Sequence, residues 1–543
     1  MKKTFIILLL FAIFGNIYAK EENYTAKDHY DMAIESIRAN NYDNAFTNLT
    51  EAINIDPTTS DYYYIRYVIT EENLKLLLEN SDKNDPESQK LISSYIRFCL
   101  NDINNAILYW NKDSRFSKST FYMSRAKIYY EMGHYEEAMK DCNTSYRTLN
   151  KKDYDTALDV LAIRAHLYSM KGENDKCILD LHEILKYCKK AIKKEPNDIS
   201  YYKTSLNANY KLGYYMSVVE DAFDMIENFP PKDFEEFDAY DEALRVDLKH
   251  AKKLTENKLK KYPDDKNWLY MQGLLTFYDK NYKLSLEQFD NILKKYGNNY
   301  RLLHAKFICY YNLQCLEKSL VALDKIEEVY DSLDYSERYY KISTYPLLNE
   351  HEKTIEESTK FLDSLGFDPT IQLLRAEAYL ELGDDTKAII DMNAVIEKDS
   401  TNAYAYYKRA KLHKKYNATG LANANYEMVL KLDTICNTSS NRHYALYHLG
   451  KKEEALEWIE SIISSYPNDK GAFYDKACLL SLMGNKKEAI KNLEKAFELG
   501  YRYFIHINED NDLDILREEP EFIALIEKYK AMHENECAEL VEP

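Results

Sequence analysis

The chain is 543 residues long, carries a formal net charge of -18 at pH 7, and contains 13 glycines and 11 prolines but 50 tyrosines. So acidic a chain has no basic stripe with which to displace phosphate counterions, which excludes a broad nucleic-acid surface and simple attraction to anionic lipid. So few turn residues over such a length exclude a strand-rich architecture and leave a mostly helical one.

The chain opens on MKKTFIILLLFAIFGNIYAK, in which Lys2 and Lys3 precede an apolar run from Phe5 to Phe14. Ile17 and Ala19 stand where a signal peptidase takes small or aliphatic residues, so residues 1–19 read as an export signal removed after Ala19. The run is shorter than the ~18–20 apolar residues of a spanning helix, and no later stretch reaches that length. The first cysteine, Cys99, is too far from the cleavage point for lipid attachment. The expectation is an exported protein, periplasmic or secreted, with no stable membrane insertion once the signal is gone.

A period follows. Small residues recur in matching contexts at Ala388, Ala422, Ala455 and Ala489, in steps of 34, 33 and 34. The same register runs back through Thr354, Ser319, Ser285, Ala251 and Val218, then more loosely through Cys177, Ala138, Asn105 and Ala45. Twelve residues before an anchor stands a second small residue: Ala126, Ala165, Ala239, Gly273, Ala376, Ala410 or Ala477. Tyr129, Tyr168, Tyr310 and Tyr379 mark an aromatic position three residues later, and Gly133, Gly172, Gly383, Gly450 and Gly484 fall between the two helices of their units. Each unit is then a pair of antiparallel helices whose small residues permit close approach. Larger residues such as Leu493, Ile459 and Met392 fill the space against the next unit, since no unit buries its apolar face alone.

This period and these positions resemble the tetratricopeptide-repeat family. The resemblance covers about residues 24–500 and is closest over 367–500 and 119–190. It implies an all-α fold, a right-handed α-α superhelix, finished by C-terminal capping helices for which DLDILREEPEF is the match. The expected organisation is an irregular first array over 20–228 with an insertion near 70–92, and a second array over 229–500. Capping helices over 501–533 and an acidic tail over 534–543 complete it. FPPKDFEEF (229–237) is the expected break between arrays, because two prolines continue a helix poorly.

In that family the first helix of each unit lines the concave surface. Its exposed positions here are Tyr130, Tyr210, Tyr270, Phe277, Tyr311, Tyr404, Tyr407, Tyr444, Tyr447 and Tyr474. The resemblance implies a groove at these residues, and tyrosine suits one by offering large contact area with two torsions to freeze. An extended peptide or a partner helix would fit it. The same rings would equally serve as packing between neighbouring helices. Lys411, Lys414 and Arg301 interrupt the aromatic surface and would meet acidic groups.

Constellations for chemistry are missing from the sequence. There is no HExxH, no GxSxG, no Walker loop and no GxGxxG. Asp510, Asp512, Asp514 and Glu521 imitate a calcium loop, but Ile515 occupies the glycine position and Pro520 intrudes. The nine cysteines are scattered without a CxxC pair and read as buried thiols rather than a disulfide framework. The expectation is a non-catalytic scaffold or adaptor with no cofactor and no metal, binding an unidentified protein partner outside the cytoplasm. The alternative is a protein that binds peptidoglycan or another envelope polysaccharide; only three tryptophans (Trp110, Trp268, Trp458) are available for sugar stacking.

Overall fold

The computed structural model describes residues 24–80, 85–233, 235–437 and 440–543; the expected export signal lies outside the described residues. The described residues form helices and no strands. The chain divides into two compact units: one runs to Pro230 and adds Glu242–Asp247, the other comprises Pro231–Asp241 and Leu248–Pro543.

In the first unit five helical hairpins follow one another. They are α1 (Ala26–Arg38) with α2 (Tyr42–Ile55), α3 (Ser60–Asn80) with α4 (Pro86–Leu108), α5 (Lys118–Glu131) with α6 (Tyr135–Thr148), α7 (Tyr154–Met170) with α8 (Asn174–Lys194), and α9 (Ile199–Lys211) with α10 (Tyr215–Asn228). The extra length near residues 70–92 takes the form of long helices, 21 residues in α3 and 23 in α4. After Pro230 and Pro231 come a 3-10 turn (Glu235–Tyr240) and the short α11 (Asp241–Arg245).

The second unit continues the hairpins. They run through α12 (Leu248–Lys261), α13 (Lys266–Tyr278), α14 (Tyr282–Tyr296), α15 (Tyr300–Asn312), α16 (Leu316–Tyr330), α17 (Tyr335–Thr344) and α18 (His351–Leu365). Next come α19 (Pro369–Glu381), α20 (Asp385–Lys398), α21 (Ala403–Lys415), α22 (Thr419–Leu432), α23 (Arg442–His448), α24 (Lys452–Ser465), α25 (Lys470–Leu482) and α26 (Lys486–Glu498). A cap of α27 (Phe504–Glu509), a 3-10 turn (Asn511–Leu516) and α28 (Pro520–Ala538) ends the chain. First helices start on side chains that accept backbone N–H groups, such as Asp265, Asp368, Asn402 and Asp469. Each such cap contributes about 1 kcal/mol.

The periodic small residues sit at the helix contacts. Ala45, Ala138, Val218, Ala251, Ser285, Ser319, Thr354, Ala388, Ala455 and Ala489 have no exposed surface. The contact tolerates little more: a Cβ added to Gly273 would stand 2.6 Å from the Phe289 ring. Three positions differ from the sequence reading, the first being the anchor Cys177, which is only half-buried. In α4 the anchor is Cys99, fully buried, whereas Asn105 is half-buried, because the long hairpin crosses one turn earlier than equal spacing implied. Ala239 is exposed, since the prolines replace a regular first helix by a 3-10 turn.

A second periodic device accompanies the first. The residue preceding the small residue of a first helix is often arginine, and it forks onto the carboxylate sixteen residues on. Arg125 reaches Asp141 at 2.7 and 2.8 Å, and Arg375 reaches Asp391 at 2.8 Å with both donors. Arg164 forks onto Asp180 in the same way, and at the equivalent place Arg409 Nε donates a single bond to Asn425 Oδ1. The remaining guanidinium nitrogen turns back sixteen residues, from Arg375 to Thr359, Arg409 to Asn393 and Arg66 to Thr50. Each cation therefore ties its own hairpin shut and fastens it to the one before.

Arg375→Ala would strand the Asp391 carboxylate, which is only 5% exposed, and should cost about 3 kcal/mol. Asp391→Asn should cost less, about 1–2 kcal/mol, because the amide oxygen still accepts one guanidinium donor, as Asn425 Oδ1 does from Arg409 Nε, while the second donor and the charge lose their partner. Urea unfolding of the full chain, followed by circular dichroism, compares the two.

Candidate functional site

The second unit fills its own concave surface. Tyr407, Tyr444 and Tyr474 belong to one buried cluster with Leu513 and Leu516 of the terminal 3-10 turn and Phe522 and Tyr529 of α28. Tyr407 stacks on Tyr444 at 5.8 Å, and Tyr474 lies parallel to Tyr501 at 4.4 Å. Tyr404 is half-buried and donates its hydroxyl to Glu377, Tyr447 donates to the Leu482 carbonyl, and Tyr474 donates to Asp510 at 2.6 Å. Tyr270 is 1% exposed against Phe237. Phe277 packs on Tyr282 and Tyr311 on Tyr340. An open groove was expected at Tyr270, Tyr407, Tyr444 and Tyr474; these four are instead core residues, covered because the chain supplies its own contents.

Those contents are acidic. Asp512 lies in the field of Lys408, Lys411 and Lys414, so the basic residues expected to meet an acidic partner face the chain's own DNDLD segment. Asp510 caps the 3-10 turn by accepting from the Asp512 N–H, which accounts for the calcium-like spacing as a capping device. Asp475 accepts from the Tyr444 hydroxyl at 3.1 Å. Its carboxyl is pushed up to about 7, first by burial and then by the fields of Asp469, Asp510 and Asp512, against the Tyr444 hydrogen bond. Burial alone holds the neighbouring His443 neutral, its pKa down at about 3.

The end of the second unit also folds back onto its third hairpin. Gln314, in the turn between α15 and α16, has a left-handed φ of 59°. Its side-chain amide donates to the Gly500 carbonyl and accepts from the Arg502 N–H, while its carbonyl oxygen is 3.1 Å from His533 Nε2. Next to it, Cys315 is joined to Cys537 in a disulfide across 222 residues. The reading of all cysteines as thiols therefore fails for this pair, which tertiary folding alone brings together. It holds for Cys99, Cys142, Cys188, Cys309 and Cys478, which are free and buried. Burial pushes the thiols of Cys99, Cys142 and Cys188 up to about 12, leaving them unreactive. By chain entropy a closed loop of this length stabilises the fold by roughly 5 kcal/mol. His533 Nδ1 or Nε2 and the two sulfurs lie within 4.8 Å, but while the sulfurs are bonded to each other they offer no ligand to a metal.

In the first unit the two expected groove residues are not buried. Tyr130 is half-buried with its hydroxyl 2.6 Å from His166 Nδ1. Tyr210 is 42% exposed and stacks edge-on with Tyr215. Tyr214, Tyr215, Met216, Ile178 and Leu179, of this hairpin and the one before it, are also exposed, and the His182 ring of α8 lies 6.0 Å from the Tyr214 ring. The sequence reading missed this patch because its residues open second helices, outside the positions expected to line a groove.

A family model described as tetratricopeptide repeat matches residues 119–147 and 471–499, two of the hairpins just described. The chain carries tetratricopeptide repeats. Among relatives, a chloroplastic protein of Arabidopsis thaliana is 36% identical over 92 residues, 16% of this chain and 28% of that protein. The chain thus spans well under half the length of that relative. TPR repeat-containing protein MJ1428 of Methanocaldococcus jannaschii is 21% identical over 505 residues, 92% of this chain and 74% of that one. Of solved structures, yeast Tom70 aligns at TM-score 0.35 and 12% identity, covering 77% of this chain and 96% of its own. A tetratricopeptide repeat protein from Parabacteroides merdae aligns at TM-score 0.34 and 16% identity, covering 52% and 99%.

Among the described residues of this repeat-bearing chain, no helix is long and apolar enough to cross a membrane. Its electrostatics are testable at Asp475. A carboxyl that binds its proton more tightly in the fold than in the unfolded chain favours folding at low pH, and that contribution is lost as pH rises through about 7. The thermal midpoint should therefore fall from about pH 4, where the unfolded carboxyl ionises, up to about pH 7, and be level above it. Asp475→Asn should flatten that part of the profile, as read by differential scanning calorimetry.

Proposed function

We propose that the protein is a non-catalytic scaffold that works outside the cytoplasm and grips a helix or extended peptide of a partner protein on its first unit. That tetratricopeptide repeats serve protein interaction supports the general reading. The observation that carries the finer one is the run of exposed rings and apolar side chains on α8–α10. Tyr270, Tyr407, Tyr444 and Tyr474 are spent on internal packing, whereas Ile178 (44%), Leu179 (65%), Tyr210 (42%), Tyr214 (46%), Tyr215 (49%) and Met216 (55%) remain exposed across α8–α10. Exposed apolar and aromatic side chains gathered on one face mark a binding surface, and rigid amphipathic rings suit a peptide or helix. The export signal read in residues 1–19 supports the location.

Two measurements test this. Cross-linking capture from the native cell envelope should lose its partner with Tyr210→Ala/Tyr214→Ala/Tyr215→Ala at unchanged helicity, with binding at least about tenfold weaker, since exposed aromatic anchors dominate such contacts. Equal capture by wild type and variant removes the first unit as the binding face. N-terminal sequencing of the protein from its native cell should begin at Lys20; a chain retaining Met1 and its leader overturns the export reading.

A further inference from the structure

The last five residues, Glu539–Pro543, lie along the hairpin of α15 and α16 and are held there by their main chain. Lys318 Nζ donates to the Leu540 carbonyl at 2.9 Å, the Tyr310 hydroxyl to the Val541 carbonyl at 2.6 Å, and Lys306 Nζ to the Glu542 carbonyl at 2.8 Å. Three side chains of one hairpin thus read three consecutive carbonyls. Two acidic side chains add charge contacts: Glu542 to Lys318 at 3.1 Å and Glu539 to Lys283 at 2.9 Å. Leu540 is the apolar anchor, 7% exposed.

The receiving surface is built rather than incidental. Lys306 is 3% exposed and Tyr310 fully buried, so both head groups are aimed at the tail from inside the hairpin. Asp290, 3.4 Å from Lys306 Nζ, offsets the cost of placing an ammonium there. A buried lysine whose short contact is a peptide carbonyl is a reader of main chain. Carbonyls recur in every polypeptide, so the selectivity of such a site comes from its extended shape and from the acidic flanks that Lys283 and Lys318 require.

We propose that Lys283, Lys306, Tyr310 and Lys318 form a binding site for an extended acidic peptide, occupied in cis by residues 539–543 of this chain and kept closed by the Cys315–Cys537 disulfide. The inference rests on the scaffold reading and adds a second, regulated site to it. Cys537 precedes the first carbonyl read by three residues, so while the disulfide stands the tail is delivered at a very high effective concentration and excludes a competitor. A dithiol reductant opens the lock by exchange: its thiolate attacks one sulfur, its second thiol resolves the mixed disulfide, and two cysteine thiols and a cyclic disulfide result. The tail then remains attached only through α28 and yields to a peptide of the same chemistry.

The test uses the full-length chain, with the disulfide verified by peptide mapping without reductant, and a fluorescein-labelled peptide of sequence Ala-Glu-Leu-Val-Glu-Pro. Fluorescence anisotropy should show binding to the reduced Leu540→Asp variant, whose tail is weakened, at least about tenfold tighter than to oxidised wild type. Glu542→Arg, at an exposed residue, supplies an independent tail-weakened chain should Leu540→Asp misfold. Adding Lys306→Met to either should reduce peptide affinity about tenfold, the loss of one charge-assisted contact, and Tyr310→Phe about fivefold, the loss of a neutral hydrogen bond. Equal or absent binding in reduced, tail-weakened and folded protein overturns the proposal, as does a peptide map without the Cys315–Cys537 link. Partner capture by the first unit is measured separately, so failure of the tail site leaves the scaffold reading standing.

Discussion

Everything in this protein depends on two helices touching at a residue small enough to let them. At Ala138, Ala388, Ala455 and Ala489 the contact leaves no accessible surface. With the small side chain at the crossing, a long cation one residue before the neighbouring small position can lie over the contact and end between three helices. Arg375 does this, holding Asp391 of its own hairpin and Thr359 of the one before. The same side chain therefore supplies both the stability of a unit and its coupling to its neighbour. This is the arrangement a repeat array needs, since its stability is a sum of unit and nearest-neighbour terms rather than the property of one large core. The apolar cores are accordingly several modest clusters strung along the chain.

The abundance of tyrosine follows from the charge balance. The chain has 90 acidic and 72 basic side chains, so many carboxylates find no cation. Tyrosine brings an apolar ring to the helix contacts and a hydroxyl donor to the surplus acids. Tyr201 donates to Asp155, Tyr335 to Asp368, Tyr404 to Glu377, Tyr444 to Asp475 and Tyr474 to Asp510. Each pairing gives a carboxylate a neutral donor beside an apolar cluster and lets the ring bury its area, and Glu377 adds an ion pair with Lys408. The same acids that give the molecule its net charge thus become internal acceptors.

The second unit shows what happens when such a surface meets a chain end of complementary character. Its lysines at 408, 411 and 414 face Asp512, and its lysines at 283, 306 and 318 face the terminal ELVEP. Gln314 accepts a left-handed backbone at the turn and uses its amide as a substitute peptide group for the backbone at Gly500 and Arg502. The left-handed backbone is the one that Lys280, Asn349 and Asn417 adopt at their own turns, and a disulfide beside Gln314 makes the closure covalent.

The sequence alone determined the repeat. Small residues at a 34-residue step, glycines between paired helices and an acidic capping motif are short-range signals, and each reports the local rule of helix approach, turn or cap that it obeys. The Arg–Asp fork was legible too, as a spacing of sixteen from Arg164 to Asp180 or Arg375 to Asp391, although the period of small residues drew attention from it. Which tyrosines stay open was not legible. Tyr210 and Tyr447 hold the same repeat position, eight residues before the anchors Val218 and Ala455, yet Tyr210 is 42% exposed while Tyr447 is half-buried with its hydroxyl on the Leu482 carbonyl. The cystine and the tail site were equally out of reach, since Cys315 and Cys537 are 222 residues apart and neither stands in a local pattern. Periodicity fixes what a residue does toward its neighbours in the chain; only the curvature accumulated over many hairpins decides which distant residues arrive on the same surface.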